Sequence, residues 1–300
     1  MKKIRKIFVV MMLFCSLLIP EVALANTVRS IDEVEEVEII KPAENTIVPP
    51  TEYISVLMYH HFAIRDMGEG NGVVTTQSQL EDQIIYLKEQ GYEFISLEKL
   101  SSLLREVEKD KTRATKKTSD KNSLGLDKKY ICITMDDGYL SNYELAFPIF
   151  QKYKIPISIF AVTDSITQQT GLQKFNWEQA QKMVDSRYVK IYNHTANHAP
   201  VSAGTEDNFL DEVAEAEIAL AQNLDQKACK ALAFPNGRFT AYTQKELAEM
   251  GFELLFTVDY GVITKQTSRY AIPRINVDSG FSGKDLLTRI EGAARRSFLK

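Results

Sequence analysis

Two short polar clusters directly follow apolar runs of the sequence, and both contain side chains suited to metal binding or proton transfer. In the first cluster, the apolar run 131–135 ends in Asp136, Asp137 and Gly138. Adjacent carboxylates at a strand end repel each other and lose hydration, so a compensating partner such as a metal ion is expected. An Asp-Gly pair also favours a hairpin turn, but a helical pattern follows here instead of a second hairpin strand.

The second cluster contains His194 and His198, which come directly after the apolar run 189–192. Imidazoles at this spacing can reach one ion from the same side of a turn. A nearby carboxylate would complete a ligand set that leaves positions open for water and substrate. The chain has only four histidines, and the other two, His60 and His61, also follow an apolar run. Chance placement explains this concentration of histidines at strand ends poorly, which favours a functional role for them.

The elements expected around these clusters alternate between strands and helices. Strands are expected at 54–59, 94–97, 130–134, 157–162, 189–192, 231–234 and 254–258, and helices at 77–90, 98–108, 143–153, 177–184, 208–223 and 243–250. Apolar strands that alternate with amphipathic helices indicate a parallel sheet with helices on its faces. Because both polar clusters fall at C-terminal strand ends, an α/β fold of the distorted (β/α) barrel type is expected. A doubly wound open parallel sheet is the alternative, although no glycine-rich nucleotide loop follows the first strand.

The N-terminal segment has the features of an export signal. Residues 1–25 combine basic side chains, an apolar stretch at 7–20 and a small-residue cleavage site at 23–25. The apolar stretch is shorter than the roughly 20 residues that span a bilayer, which favours a cleaved signal peptide over an N-terminal membrane anchor. We therefore expect an exported protein that is extracellular or associated with the cell envelope.

The remaining chain is expected to contain one linker and one domain. Residues 26–52 form an acidic, proline-containing linker, and 53–300 form the catalytic domain with a polar surface insertion at about 109–129. The formal net charge of −4 argues against nucleic acid as a partner. Membrane contact is expected only through the N-terminal segment, if it is not cleaved.

Two cysteines, Cys132 and Cys229, lie in apolar stretches of the expected domain. They are interpreted as small buried side chains, with a disulfide as the alternative. The sequence contains no Cys-x-x-Cys spacing, which excludes a thiolate metal site of that type.

Three segments resemble motifs of the polysaccharide deacetylases, also called NodB-homology proteins or family-four carbohydrate esterases. Residues 134–138 (Thr-Met-Asp-Asp-Gly) are similar to the T-F-D-D-G motif, and 194–198 (His-Thr-Ala-Asn-His) match H-[ST]-x-x-H. Residues 233–237 (Ala-Phe-Pro-Asn-Gly) are similar to the third motif, in which Pro-x-Gly follows a strand. The resemblance covers roughly residues 54–277 and implies a metal-dependent deacetylase with a barrel fold.

The sequence departs from the common family pattern conservatively at Met135, which replaces an aromatic residue, and more consequentially in two other places. Ala233 stands where the third motif usually has an arginine, and no histidine follows His198 to supply the usual catalytic acid. Both departures resemble a permuted branch that includes poly-N-acetylglucosamine deacetylases. In that branch an early Tyr-His supplies the acid and a late Pro-Arg supplies the arginine, and the matching residues here are His60 and Arg274.

The resemblance also implies roles for the two polar clusters. Asp137, His194 and His198 would bind a divalent metal, with zinc expected and other ions possible, and Asp136 would be the general base. A bound ion lowers the pKa of water, so a neighbouring carboxylate can accept its proton. The backbone N–H of Tyr139 is expected to stabilise the developing oxyanion.

The remaining roles concern the leaving group and the sugar. His60 would protonate the departing amine, with His61 as the alternative because neighbours on an extended segment point in opposite directions. Arg274 would orient Asp136, with an ordinary ion pair as the alternative interpretation.

Substrate contacts are expected from Pro235, Gly237 and Trp177, although an aromatic residue at a helix start is more often a packing residue. The expected function is hydrolysis of N-acetyl groups from N-acetylhexosamines in a cell-envelope or extracellular polysaccharide. The candidate substrates are poly-N-acetylglucosamine, peptidoglycan and a wall-polysaccharide linkage sugar. The alternatives are an O-acetyl esterase of the xylan type and a catalytically silent glycan-binding protein.

Overall fold

The apolar runs of the chain form parallel strands. A computed structural model describes residues 48–65, 73–113 and 124–299 of the chain. The strands are β1 (Ile54–Tyr59), β2 (His61–Ala63), β3 (Val74–Thr76), β4 (Tyr92–Phe94), β5 (Lys129–Asp136), β6 (Ile157–Ala161), β7 (Val189–Asn193), β8 (Ala231–Ala233), β9 (Leu254–Tyr260) and β10 (Ile272–Asn276). Seven of them form a closed ring in the order β1, β5, β6, β7, β8, β9, β10. The pairing of β10 with β1 closes the barrel, and this confirms the barrel expectation over the open sheet.

Helices cover the outside of the barrel. They are α1 (Gln77–Glu89), α2 (Leu97–Arg113), α3 (Phe147–Tyr153), α4 (Trp177–Asp185), α5 (Glu206–Asn223), α6 (Ala241–Glu249) and α7 (Gly283–Phe298). Capping boxes fix the starts of α1, α4, α6 and α7, where a side chain and a backbone N–H exchange hydrogen bonds. None of the helices in the described ranges is long and apolar enough to cross a membrane.

The side chains of β5 point alternately into two hydrophobic clusters, one inside the barrel and one outside it. Ile131, Ile133 and Met135 belong to the outer cluster beneath the helices, whereas Tyr130 and Cys132 belong to the cluster inside the barrel. This alternation follows from the two-residue period of a strand. It also directs Asp136, which shares the parity of Cys132, towards the barrel interior.

Helix α2 closes the N-terminal end of the barrel. Its residues Leu97, Leu100 and Leu104 belong to the same inner cluster as Ile54 and Leu254, which begin two of the barrel strands. The N-terminal end of the barrel is therefore filled by apolar side chains, and the carboxyl ends of the strands form the opposite rim.

Several element bounds differ from the expected ones. The strand expected at 94–97 is β4, which ends at Phe94 and pairs with the beginning of β5, and α2 already starts at Leu97. A π-helical turn, Asn142–Ala146, precedes α3 in the region expected as one helix. Strand β10, helix α7 and the short pair β2–β3 were not expected.

The expected N-terminal signal and most of the expected linker lie outside the described residues. Helix α2 continues to Arg113, into the range expected as a polar insertion, and 114–123 also lie outside the description. Cys132 and Cys229 are free thiols, the first buried and the second half-buried.

Candidate metal centre

The rim of the barrel brings Asp137, His194 and His198 together. One ligand atom from each of the three lies within 4.8 Å of the others. The Nε2 atom of His194 and that of His198 both lie 3.5 Å from Oδ1 of Asp137. Ligands at about 2.1 Å from a tetrahedral ion are separated by about 3.4 Å, so these three residues fit a single divalent ion. The donor set, two imidazoles and one carboxylate, also suits such an ion.

Unusual backbone conformations direct the ligands towards one point. Asp137, Thr195 and His198 have φ values of 72°, 65° and 67°, in the left-handed region that non-glycine residues rarely adopt. Local hydrogen bonds stabilise the histidine segment, since Thr195 N donates to Asn193 Oδ1 at 2.8 Å and His198 N donates to Thr195 Oγ1 at 3.0 Å. The strain is therefore held by the loop itself, as is common at functional sites.

The orientation of His194 is fixed from the neighbouring strand. Its Nδ1 lies 2.7 Å from the carbonyl oxygen of Ala233, which leaves Nε2 facing Asp137. A metal-binding histidine usually donates its second ring N–H in this way, and the bond selects the tautomer. Ala233 therefore contributes its carbonyl at the position where the common family motif has an arginine side chain.

Helix α5 holds the histidine segment from outside the ligand set. The backbone N–H of Asn197 donates to Glu212 Oε2 at 2.9 Å, and the Asn197 side-chain amide donates to Glu212 Oε1. Asn193 donates from Nδ2 to Glu217 Oε1 at 3.0 Å. Neither glutamate was predicted from the sequence, because only the fold brings α5 against this loop.

The second carboxylate, Asp136, forms a buried pair with Arg274. Arg274 NH1 and NH2 donate to Asp136 Oδ1 and Oδ2, each at 2.7 Å. The arginine is fully buried, and its Nε donates to the Thr257 carbonyl at 2.8 Å. Such a bidentate geometry fixes both the position and the plane of the carboxylate. Arg274 therefore reaches Asp136 from β10, which is separated from β5 by β1 in the ring.

The electrostatic surroundings keep both carboxylates ionised. Burial raises the pKa of Asp136, but the Arg274 guanidinium together with His194 and His60 lowers it by more, and the net pKa lies below its usual value. Burial likewise opposes ionisation of Asp137, whereas its interaction with His194 and the charge of Lys174 lower its pKa overall. The two adjacent carboxylates are thus kept ionised by different neighbouring groups.

The two early histidines have different surroundings. His60 follows β1, is half-buried, and has an Nδ1 atom that is buried without a hydrogen-bond partner among the described residues. Burial lowers the pKa of His60, and the nearby Asp136 and Asp137 carboxylates oppose that shift. His60 is therefore close to both carboxylates of the site.

His61 faces another way. Its Nδ1 lies 3.0 Å from the Ser141 hydroxyl, and its ring packs edge-on against Tyr139 with centroids 5.3 Å apart. Burial lowers the pKa of His61, and the Lys174 charge lowers it further.

The segment around Tyr139 pairs with a returning loop. Tyr139 and Lys174 face each other in a short antiparallel bridge whose hydrogen bonds are made by the flanking residues. In that type of pair the N–H of Tyr139 points away from the partner segment. The Lys174 ammonium lies 3.6 Å from the centre of the Tyr139 ring. Lys174 was not predicted from the sequence because its segment carries no motif.

The remaining expected substrate contacts have structural roles. Pro235 is buried in a 3₁₀ turn, and a Cβ on Gly237 would lie 2.5 Å from a Val258 methyl group at a φ of 67°. Trp177 begins α4 and packs against the outer core cluster. The described contacts of these three residues explain packing, and their substrate contacts stay predictions.

Sequence similarity to known proteins covers the part of the chain that contains the candidate metal centre. The sequence profile named "Polysaccharide deacetylase" matches residues 124–255, which contain Asp136, Asp137 and both rim histidines. The match begins after the part of the chain that supplies His60 and ends before Arg274.

Two relatives and one solved structure extend the similarity. YxkH of Bacillus subtilis is 26% identical over 238 residues, which cover 79% of this chain and 76% of the relative. The poly-beta-1,6-N-acetyl-D-glucosamine N-deacetylase of Staphylococcus epidermidis is 25% identical over 214 residues and 68% of each chain. The deacetylase PplD of Streptococcus pyogenes, solved in complex with acetate, superimposes with a TM-score of 0.65. That match has 22% sequence identity, covers 82% of this chain and 99% of that chain, and shows the shared fold.

Proposed function

We propose that the chain, part of which matches the polysaccharide deacetylase profile, hydrolyses the N-acetyl groups of N-acetylhexosamine residues in a bacterial cell-envelope or extracellular polysaccharide. One observation carries this proposal. A buried carboxylate, Asp136, is held by Arg274 beside the Asp137–His194–His198 cluster. In this proposal Asp136 is the general base, and the metal site lies directly next to it. The relative from Staphylococcus epidermidis, named for an N-deacetylase activity, supports the N-acetyl linkage.

Asp137, His194 and His198 would hold the ion, for which zinc is proposed. A divalent ion at this site would supply Lewis-acid activation of water and of the acetamide carbonyl. Asp136 would accept the proton of the attacking water because its carboxylate is ionised, oriented and adjacent. The Arg274 guanidinium holds that carboxylate in position and needs no movement during the reaction.

The leaving group requires a separate proton donor, since an amine leaves poorly unless it is protonated. His60 would donate that proton as the C–N bond breaks, and the products are acetate and the free amino sugar. The unpartnered Nδ1 of His60 and its proximity to both carboxylates support this role over His61, whose ring is engaged by Ser141 and Tyr139. The backbone N–H of Tyr139 would donate to the developing oxyanion.

Acetate release from matched oligosaccharides tests the proposal. The metal-loaded protein is expected to release acetate from N-acetylglucosamine oligomers faster than from O-acetylated xylan oligomers of the same length. Faster release from the xylan oligomers would assign an O-acetyl esterase on the same site. Binding of oligomers without any release, in protein with a full complement of metal, would assign the glycan-binding alternative.

We also propose export of the protein to the cell envelope or medium, on the basis of the signal-like residues 1–25. Cell fractionation with an antibody against the domain should find it outside the cytoplasm. The mass of the recovered chain distinguishes a cleaved signal from an N-terminal anchor.

A further inference from the structure

Lys174 is a buried cation at the rim that the proposed reaction does not use. It lies in the loop between β6 and α4, and only 8% of its surface is exposed. Its ammonium group lies over the face of Tyr139, 3.6 Å from the ring centre. The bridge between the two backbones keeps this loop against the segment that follows Asp137.

The ammonium group of Lys174 has no carboxylate within ion-pair distance among the described residues. The Nζ atom of Lys174 makes no hydrogen bond to the described residues, and it is not fully buried. The tip of the side chain therefore reaches solvent. Its electrostatic neighbours are Asp137, His61 and His198. The lysine therefore ends near the candidate metal ligands Asp137 and His198, with its tip in contact with solvent.

If a divalent ion occupied the site, the positive charge of Lys174 would have no anionic partner of its own. A divalent ion has a single anionic ligand here, Asp137, and the charge of Asp136 is neutralised by Arg274. The positive charges of the ion and of Lys174 would then share a single anion, Asp137. An aromatic face offsets only part of the cost of burying an ammonium group, and buried charges normally have an anionic partner. The missing partner has to come from the solvent-facing side, where the substrate binds.

We propose that Lys174 forms a subsite for an anionic oxygen of the glycan, a carboxylate or a phosphate, beside the reacting acetamido group. This inference rests on the proposed function and narrows the substrate to acidic N-acetylated glycans. A muramic acid residue carries a lactyl carboxylate on the ring carbon next to the one that bears its acetamido group. A linkage sugar carries a phosphate. Both sources present the same chemistry to Lys174, whereas neutral poly-N-acetylglucosamine presents none.

Three oligomers of equal length test this subsite: one neutral, one with a lactyl carboxylate next to an acetamido group, and one with a phosphate ester. The metal-loaded wild-type protein is expected to have a kcat/KM for acetate release about tenfold higher on one acidic oligomer than on the neutral one, a typical effect of one well-placed charge pair. Lys174→Gln should bring that ratio close to one. Lys174→Arg, which keeps the charge, should preserve most of it. The preferred acidic oligomer identifies the source of the anion.

Lys182→Gln is the matched control, because Lys182 also lies near a tyrosine ring, 5.7 Å from the centre of Tyr143, and its loss removes the same charge. This variant should keep the wild-type ratio. Equal kcat/KM values for acidic and neutral oligomers in the wild-type protein, or an unchanged ratio in Lys174→Gln, would overturn the subsite.

A binding measurement separates failure of the subsite from failure of the proposed function. Metal-loaded Asp136→Asn protein, with and without Lys174→Gln, is titrated with each oligomer by calorimetry. Tighter binding of an acidic oligomer that depends on Lys174 supports the subsite even if no oligomer releases acetate in the wild-type assay. Equal affinities for acidic and neutral oligomers overturn it, whatever the activity of the wild-type protein.

Discussion

The two adjacent carboxylates of the site belong to two regions that are organised differently. Asp136 is enclosed in the barrel interior, where Arg274 binds both of its oxygens at 2.7 Å. Asp137 lies at the rim, where its Oδ1 atom is 3.5 Å from the Nε2 atoms of His194 and His198. The interior region is complete without any further component, whereas the rim region has the spacing that an ion requires.

This difference shows how one strand end can supply two functions. A buried ion pair with full hydrogen bonding is rigid, and breaking it by removing one partner costs about 3–5 kcal/mol. The rim depends instead on left-handed residues and on contacts with β8 and α5. Mutations should therefore separate the regions, with metal content responding at the rim and catalytic rate responding in the interior.

The largest effect is expected from His194→Ala, which removes one of the two imidazole ligands. Metal content, measured by elemental analysis after purification, should fall close to zero, and acetate release should be abolished. The interior pair should survive, so the thermal unfolding temperature should equal that of chelator-treated wild-type protein. Full activity in a metal-free His194→Ala protein would refute the metal centre.

Asp136→Asn tests the opposite region. The amide keeps the shape of the carboxylate but cannot act as a base, so the rate should fall by about 10²- to 10⁴-fold while the metal stays bound. Elemental analysis and acetate release on the same sample provide the two readouts. Loss of the metal together with activity would make Asp136 a ligand and remove the distinction between the regions.

His60→Ala should retain the metal and lose about two orders of magnitude in rate on N-acetyl sugars, because the leaving amine loses its proton donor. Aryl acetate esters, whose leaving groups need little protonation, should be affected much less. His61→Ala is the paired control and should have the smaller effect on N-acetyl sugars. A large selective loss in His61→Ala instead would exchange the two roles.

The smallest effect is expected from Glu212→Gln, since Glu212 contacts the metal ligands only through Asn197. Replacing the carboxylate removes one of two acceptors, and loss of such a supporting contact weakens metal affinity by about 10- to 100-fold. Competition with a chromophoric chelator measures the affinity. Glu215→Gln, an exposed residue on the same helix, makes the same charge change and should leave the affinity unaltered.

Much of the barrel is predictable from the sequence because its strands are nearly continuous apolar runs. Strand β1 has the predicted bounds, and the strands β5 to β9 lie where apolar runs end in polar residues. Strand β10 escaped prediction because Pro273 and Arg274 interrupt its pattern, and the arginine is buried only through its pairing with Asp136. The closure of the ring between β10 and β1 depends on the complete fold and on no local pattern.

The candidate site is predictable where a short motif carries it. Asp137, His194 and His198, which the histidine spacing and the family resemblance indicated, lie close together, and Arg274, which the resemblance indicated, contacts Asp136. Their catalytic roles stay predictions until they are measured. Lys174 and Glu212 could not be identified because each contacts a residue that is distant in sequence, Tyr139 and Asn197 respectively, and because lysine and glutamate are common on protein surfaces.

The apolar side chains of α2 that fill the N-terminal end of the barrel determine how material enters and leaves. In the proposed reaction, water, glycan, acetate and the freed amine would have to use the same opening, at the rim formed by the carboxyl ends of the strands. A long polysaccharide substrate would therefore lie across this opening and not thread through the barrel. Access of this kind requires no free chain end, so internal sugars of a polymer are available to the site.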